Sequence, residues 1–148
     1  MMTDETKSPG AATTASPGPT PDPAPSHREH PHRGVRVSGL DGEEGPKAFY
    51  IHIEALPGKE NQVIRMLEDI LGCVQEEPAT GPWYAVRYSQ TTFGIFEVFP
   101  DLAGRQAHVE GGGGDIFRDI ERMNALLAYP AHVHRLDVLM SKEVFARR

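Results

Sequence analysis

His108 has the setting best suited to proton transfer. It closes a short segment that starts near Asp101, just before the run Gly111-Gly112-Gly113-Gly114, and an imidazole titrates close to neutrality. The chemistry it offers is that of a general base near pH 7; the plainer role is a helix-terminal histidine bonded to backbone carbonyls. Glu97 sits in the aromatic and β-branched run from Phe93 to Phe99. A carboxylate in such company either gains basicity from its apolar neighbours or pairs with a basic residue of a partner subunit. Trp83 and Arg87 fall on one face of a strand-like run, two steps apart. An indole wall and a guanidinium so placed can flank a planar anionic substrate, or they are a core tryptophan and an arginine reaching for the rim. His108, Arg87 and Glu97 are the catalytic candidates, and Trp83, His52 and Phe99 the substrate-binding ones.

Other constellations are less specific. His132 and His134 share a strand face. An i, i+2 pair can ligate a metal, but it lacks a clear carboxylate or cysteine companion, and an interface role is the simpler reading. His27, His30 and His32 alternate with Arg28, Glu29 and Pro31 in a proline-rich stretch, which suits solvated chain better than a closed coordination shell. The four glycines follow a helix rather than a strand and have no Gly-Lys-Ser/Thr ending, so they are not a phosphate loop; a mobile connection over a pocket is what they suggest. The single cysteine, Cys73, excludes an internal disulfide and multi-cysteine metal centres.

The elements that must position these residues follow from periodicity. Phe49 to Ala55 reads as a strand closed by Pro57-Gly58. Val63, Leu67, Ile70 and Val74 step at helical spacing, with Glu60, Arg65, Glu68 and Asp69 off the stripe, and predict an amphipathic helix over 59–75. Trp83–Tyr88 and Phe93–Phe99 read as a hairpin around Ser89-Gln90-Thr91-Thr92. Pairing Tyr88 with Phe93 puts Tyr84, Val86, Tyr88, Phe93, Ile95, Glu97 and Phe99 on one face, Glu97 across from Tyr84. Asp101 is a plausible N-cap for a short helix to about His108. Ile116, Ile120, Met123 and Leu127 predict a helix from Asp115 to before Pro130, and Val133–Met140 the last strand. The order β-α-β-β-α-β, with right-handed crossovers, is α+β and ferredoxin-like: a four-stranded antiparallel sheet with helices on one face. Both faces of the hairpin are apolar, so the uncovered side should pack on a second copy, giving a homodimer and a barrel of two stacked sheets.

The chain has 148 residues, with 15 Lys+Arg against 21 Asp+Glu and a formal charge of -6, which disfavours a general nucleic-acid surface. It has no apolar block long enough for a membrane span or shaped like a signal peptide, so a cytoplasmic protein with no membrane partner is expected. Eight of the 13 prolines lie in residues 1–46, where Val35, Val37 and Leu40 are the only large apolar residues besides the initial methionines. That segment is expected to be a disordered tail, and 47–148 the folded domain.

Five motifs recur together in a known order: Pro57-Gly58-Lys59-Glu60, Glu77-Pro78-Ala79-Thr80, Trp83-Tyr84-Ala85-Val86-Arg87, Thr92-Phe93-Gly94-Ile95-Phe96-Glu97-Val98-Phe99, and Gly104-Arg105-Gln106-Ala107-His108-Val109-Glu110-Gly111. From about Phe49 to Lys142 the domain resembles the antibiotic biosynthesis monooxygenase family. The resemblance implies a dimeric α+β barrel with a pocket between sheet and helices in each subunit. Some members oxygenate phenols, quinols or anthrones with O2 and no cofactor, while others degrade haem, isomerise small molecules or have no known activity. Haem degradation is disfavoured, since the places of an expected asparagine, tryptophan and helical histidine hold Ile51, Phe99 and a histidine-free helix. A cofactor-free reaction with triplet O2 needs a deprotonated substrate able to give up one electron, a base, and a dry apolar pocket. The expectation is a monooxygenase acting on a small aromatic phenol, quinol or anthrone, with O2 as co-substrate and no metal or other cofactor. The alternatives are a non-enzymatic ligand-binding dimer and an isomerase on the same fold.

Overall fold

The computed structural model describes residues 31–42 and 44–142. In order, the elements are β1 (Val35–Gly39), β2 (Lys47–Glu54), α1 (Glu60–Val74), β3 (Trp83–Arg87), β4 (Thr92–Phe99), α2 (Leu102–Val109), α3 (Gly112–Arg118), α4 (Ile120–Leu126) and β5 (Ala131–Asp137). The strands form one open sheet in the order β1-β5-β2-β4-β3. The expected α+β, ferredoxin-like βαββαβ unit is present. Its four antiparallel strands are extended by a fifth, β1, which pairs parallel to β5 from Val35 opposite Ala131 to Gly39 opposite Arg135.

This fifth strand corrects the tail expectation, because Val35–Gly39 lies inside the 1–46 segment. Three large apolar residues are too few for a core; Val35 packs against the existing one while Val37 and Leu40 stay exposed, and the strand is held by its pairing with β5. His32 fastens the start of the strand. Its backbone N–H donates to Asn124 Oδ1 at 2.8 Å, its carbonyl accepts from Asn124 Nδ2 at 2.7 Å, and its Nε2 lies 3.1 Å from the Leu127 carbonyl. At the far end only glycine fits position 39, since a Cβ there would overlap the Arg135 backbone and φ is 98°. Residues 1–30, with His27 and His30, lie outside the described residues.

Helix α1 buries Val63, Met66, Leu67, Ile70 and Val74, the predicted stripe, against Phe49, Ile51, Ile53, Phe93, Ile95 and Phe99 of the sheet. The helix expected from Asp115 is two helices. Asp119 has φ -78° and ψ 86°, and its carboxylate accepts the Arg122 N–H at 3.1 Å, so a side chain that competes for backbone donors caps a new helix instead of continuing the old one. The glycine run is not a loose connection, because Gly112–Gly114 form the first turn of α3. A Cβ on Gly114 would overlap the Val109 carbonyl, so the glycines let α3 start hard against the end of α2.

The hairpin register also differs from expectation. Arg87 pairs with Phe93 and Trp83 with Glu97, because the loop holds three residues, 89–91, and Tyr88 N–H donates to the Thr92 carbonyl at 2.8 Å. The one-residue slip exchanges the β3 faces. Trp83, Ala85 and Arg87 join Phe93, Ile95, Glu97 and Phe99 on the helix side. Tyr84, Val86 and Tyr88 point the other way, beside Phe96, Tyr50, His52, His132 and His134. Tyr84 and Tyr88 are more than half exposed, and Val86, Phe96 and Leu136 are exposed too. Among the described residues no helix is long and apolar enough to cross a membrane.

Candidate functional site

Helix α2 turns a polar face inward. Asp101 caps it by accepting the Gly104 N–H at 2.8 Å, and the residues it buries are Gly104, Arg105 and His108 while Leu102 stays exposed. Burying charge is costly unless each charge is paired, and here each is. His108 Nδ1 lies 2.7 Å from Glu77 Oε1, and its Nε2 lies 3.1 Å from Glu97 Oε2. The ring rests on Phe99 and Phe49, with centroids at 5.1 and 6.2 Å. Glu77 Oε1 also accepts from the Thr80 hydroxyl at 2.8 Å. Arg105 lies with its guanidinium carbon 5.0 Å over the Phe49 ring, donates to the Ala48 carbonyl at 3.3 Å and pairs with Asp41, which follows β1.

These groups tune one another. Burial alone lowers the basicity of His108, but hydrogen bonds and negative charge from Glu97, then Glu77, outweigh it and hold the pKa above the ordinary 6.5. The two carboxylates favour the imidazolium form, and both ring nitrogens are engaged by them rather than turned to the cavity. Two acceptors of the relay are left over, Glu77 Oε2 and Glu97 Oε1, and of the two glutamates Glu97 lines the cavity. Glu97 is 1% exposed, and its Oε1 has no hydrogen-bond partner among the described residues.

A cavity of about 570 Å³ opens above this floor, within the range of roughly 300–1,000 Å³ usual for small-molecule sites. Glu97, His108, Arg105 and Phe49 line it, under apolar walls that include Val35 and Val37 of β1 and Phe117 of α3. The structure thus brings together three of the sequence candidates: His108, Glu97 and, as a ring beneath the imidazole, Phe99.

The other candidates lie elsewhere. Trp83 stands opposite Glu97 on the neighbouring strand but lines a second cavity, of about 250 Å³, with Arg87, Phe93 and Leu67. Arg87 donates there to the Ser89 and Gln90 carbonyls at 3.1 and 2.7 Å and covers the Phe93 ring. His52 is on the opposite face of the sheet, 5.8 Å from the Tyr88 ring. The His132 and His134 rings lie there with centroids 3.8 Å apart, tilted by 36°, and the Ser38 hydroxyl lies 2.7 Å from His132 Nε2. Among the described residues no group of three or more His, Cys, Asp or Glu side chains is arranged to hold a metal ion. Sequence reasoning passed over Glu77, Arg105, Asp41 and Arg135. Glu77 and Arg105 stand inside the quoted motifs, so the signal was present. Asp41 was hidden by its place in the presumed tail.

No family model matches the sequence, and no curated protein matches it. Solved structures do. A protein of unknown function from Nitrosomonas europaea, NE2512, is 30% identical, with a TM-score of 0.62 over 71% of this chain and 100% of that one. Rv0793 from Mycobacterium tuberculosis is 15% identical, with a TM-score of 0.60 over 66% and 99% of the two chains. A Caulobacter crescentus protein described as a "putative antibiotic biosynthesis monooxygenase" is 17% identical, with a TM-score of 0.56 over 66% and 92%. The last two share the fold, and the first is close enough in sequence to mark kinship. With its ferredoxin-like sheet the chain has the antibiotic biosynthesis monooxygenase-like fold, and it belongs to one family with NE2512.

Proposed function

We propose that the chain is a cofactor-independent monooxygenase that oxidises a small phenol, quinol or anthrone-type aromatic with O2. The observation that carries this reading is the buried Glu77–His108–Glu97 relay at the floor of a largely apolar cavity, with one Glu97 oxygen unpartnered. In this reading Glu97 Oε1 takes the proton from the substrate. His108, as imidazolium, positions Glu97 and steadies the negative charge that develops on the substrate oxygen. The deprotonated aromatic then passes one electron to O2, and the radical pair combines through a new C–O bond. Cleavage of the O–O bond converts a ring CH2 to C=O and releases the second oxygen as water with the two hydrogens. The apolar walls keep bulk water from the anion. The test is oxygen uptake by metal-stripped protein given anthrones and hydroquinones. Uptake that falls by about 10²- to 10⁴-fold in Glu97→Gln is expected of a lost general base. Uptake equal to that of unmodified protein in the variant, or none across the panel in folded protein, overturns the reading.

A proton-transfer isomerase is the second reading, favoured by a donor, His108, and an acceptor, Glu97, meeting in one relay. It consumes no O2, so the same uptake measurement separates the two. The partner proposed for the exposed sheet face is a second copy of the chain. Tyr84, Val86, Tyr88, Phe96 and Leu136 make an apolar surface of the kind a monomer rarely leaves uncovered, and a two-fold axis through it would stack two sheets.

A further inference from the structure

The residues that line the main cavity are not electrically even. Across the sheet, Glu97 pairs with Phe49 and Phe49 pairs with Arg135, so the three stand in one row on adjacent strands β4, β2 and β5. Two strand spacings separate the carboxylate from the arginine strand, roughly 9–10 Å, with the Phe49 ring between them. At one end of the row are Glu77, His108 and Glu97, two carboxylates around one imidazole. At the other end a single carboxylate, Asp41, serves both Arg105 and, at 3.6 Å, Arg135. Arg33, which also lines the cavity, has no carboxylate within ion-pair distance among the described residues. One end has negative charge in excess and the other positive.

Each end also holds an unmet hydrogen-bond need. The buried Glu97 Oε1 accepts from nothing, and the buried Arg135 Nε donates to nothing among the described residues, although Arg135 Nη2 reaches the Gly39 carbonyl at 2.6 Å. Buried polar atoms without partners are uncommon and call for a ligand or water. A ligand that met both would carry a hydroxyl at one end and an acid group at the other, joined by a flat apolar body over Phe49.

We propose that this cavity binds a hydroxyaryl monoanion, with its hydroxyl on Glu97 Oε1 and its carboxylate on Arg135 and Arg33, and that β1 with the residues flanking it sets this preference. The proposal rests on the site assigned above and deepens it by naming the ligand class. Arg33, Val35, Val37 and Asp41 all come from the segment before the ferredoxin-like unit, so the added segment brings Arg33 to the anion end beside Arg135 of β5, while the common fold supplies the relay.

The experiment is a calorimetric titration of the full chain under nitrogen. Its probes are a hydroxynaphthoic acid with hydroxyl and carboxyl at opposite ends of the ring pair, the methyl ester of that acid, and the naphthoic acid lacking the hydroxyl. The free hydroxy acid is expected to bind at least tenfold more tightly than either control. Arg33→Gln, an exposed position whose loss should leave the fold intact, is expected to narrow the acid-over-ester ratio, and Glu97→Gln the ratio that depends on the hydroxyl. Equal binding of acid and ester, an unchanged ratio in Arg33→Gln, or no binding by chain shown folded by circular dichroism overturns the proposal. Because nothing turns over under nitrogen, a failed oxygen-uptake assay with the binding preference intact would count against the monooxygenase reading alone.

Discussion

His108 lies under the helices between two carboxylates, whereas His132 stands on the open face of the same sheet with His134, Arg36 and His52 around it. Both rings lose some hydration, which by itself favours the neutral form. Under the helices, negative neighbours overturn that preference and raise the pKa. On the open face, positive or potentially positive neighbours reinforce it, and the His132 pKa is lowered. One residue type on two faces of one sheet is thus biased toward the charged form on the inside and toward the neutral form on the outside. The inner arrangement suits proton chemistry, and the outer one suits a surface that must lose its water to meet another surface.

The largest effects should come from breaking the inner arrangement. His108→Ala would leave Glu77 and Glu97 facing each other without a cation, and losing one partner of such a buried set costs about 3–5 kcal/mol. The matching His132→Ala, which relieves crowding among like groups, should stay within about 0.5 kcal/mol in either direction. Urea unfolding of the two variants at pH 7 measures this, and equal costs would end the contrast. The next effect belongs to the open face. Tyr84→Lys puts a charge into the exposed apolar surface and should weaken self-association at least tenfold by sedimentation equilibrium, with an unchanged far-ultraviolet spectrum. A protein that is monomeric without the substitution would remove the second copy from the argument.

The inner and outer faces were not equally legible in the sequence. Val63, Leu67, Ile70 and Val74 announced α1 because helical spacing is a local property, and Asp101 announced α2 because capping is local as well. His108 and Glu97 were visible as chemistry-bearing types in ordered motifs. Their meeting at 3.1 Å was not, since it depends on the angle at which α2 crosses the sheet. The β3 faces were misassigned because a period of two carries no memory of which residue starts it, so one loop residue more or less reverses everything. Strand β1 was missed for a different reason. Two valines around an arginine, followed by a serine and a glycine, form a strand only because β5 offers an unpaired edge, and that edge is a property of the assembled sheet.

The two faces should also leave opposite marks on stability against pH. A histidine whose folded pKa is raised adds stability that is fully present below its unfolded value, near 6.5, and is lost as pH climbs through the higher folded value. A histidine whose folded pKa is lowered acts the other way: its neutral form costs nothing above 6.5, and stability falls as pH drops through 6.5 toward the lower folded value. The alkaline decline in melting temperature is therefore expected to flatten in His108→Gln and the acid decline to flatten in His132→Gln. A variant that flattened the other limb would show that the tuning has been assigned to the wrong faces.

The most local predicted change concerns the loop that decides which face of the β3–β4 hairpin is which. The Ser89 hydroxyl lies 3.3 and 3.2 Å from the backbone N–H groups of Thr91 and Thr92, accepting from both, and donates to the Thr92 hydroxyl at 2.9 Å. Ser89→Ala removes these contacts from an exposed turn where water can replace them, so the cost should be about 1 kcal/mol. The register itself should hold, because Glu97 and Phe99 are fixed by β2 on the other side, through Phe49 and Lys47. Amide hydrogen exchange would separate the two outcomes. Faster exchange confined to residues 88–92 fits a weakened turn on a fixed register. Loss of protection along Trp83–Arg87 would mean that the serine, rather than the buried row beside it, selects the face on which Trp83 meets Glu97.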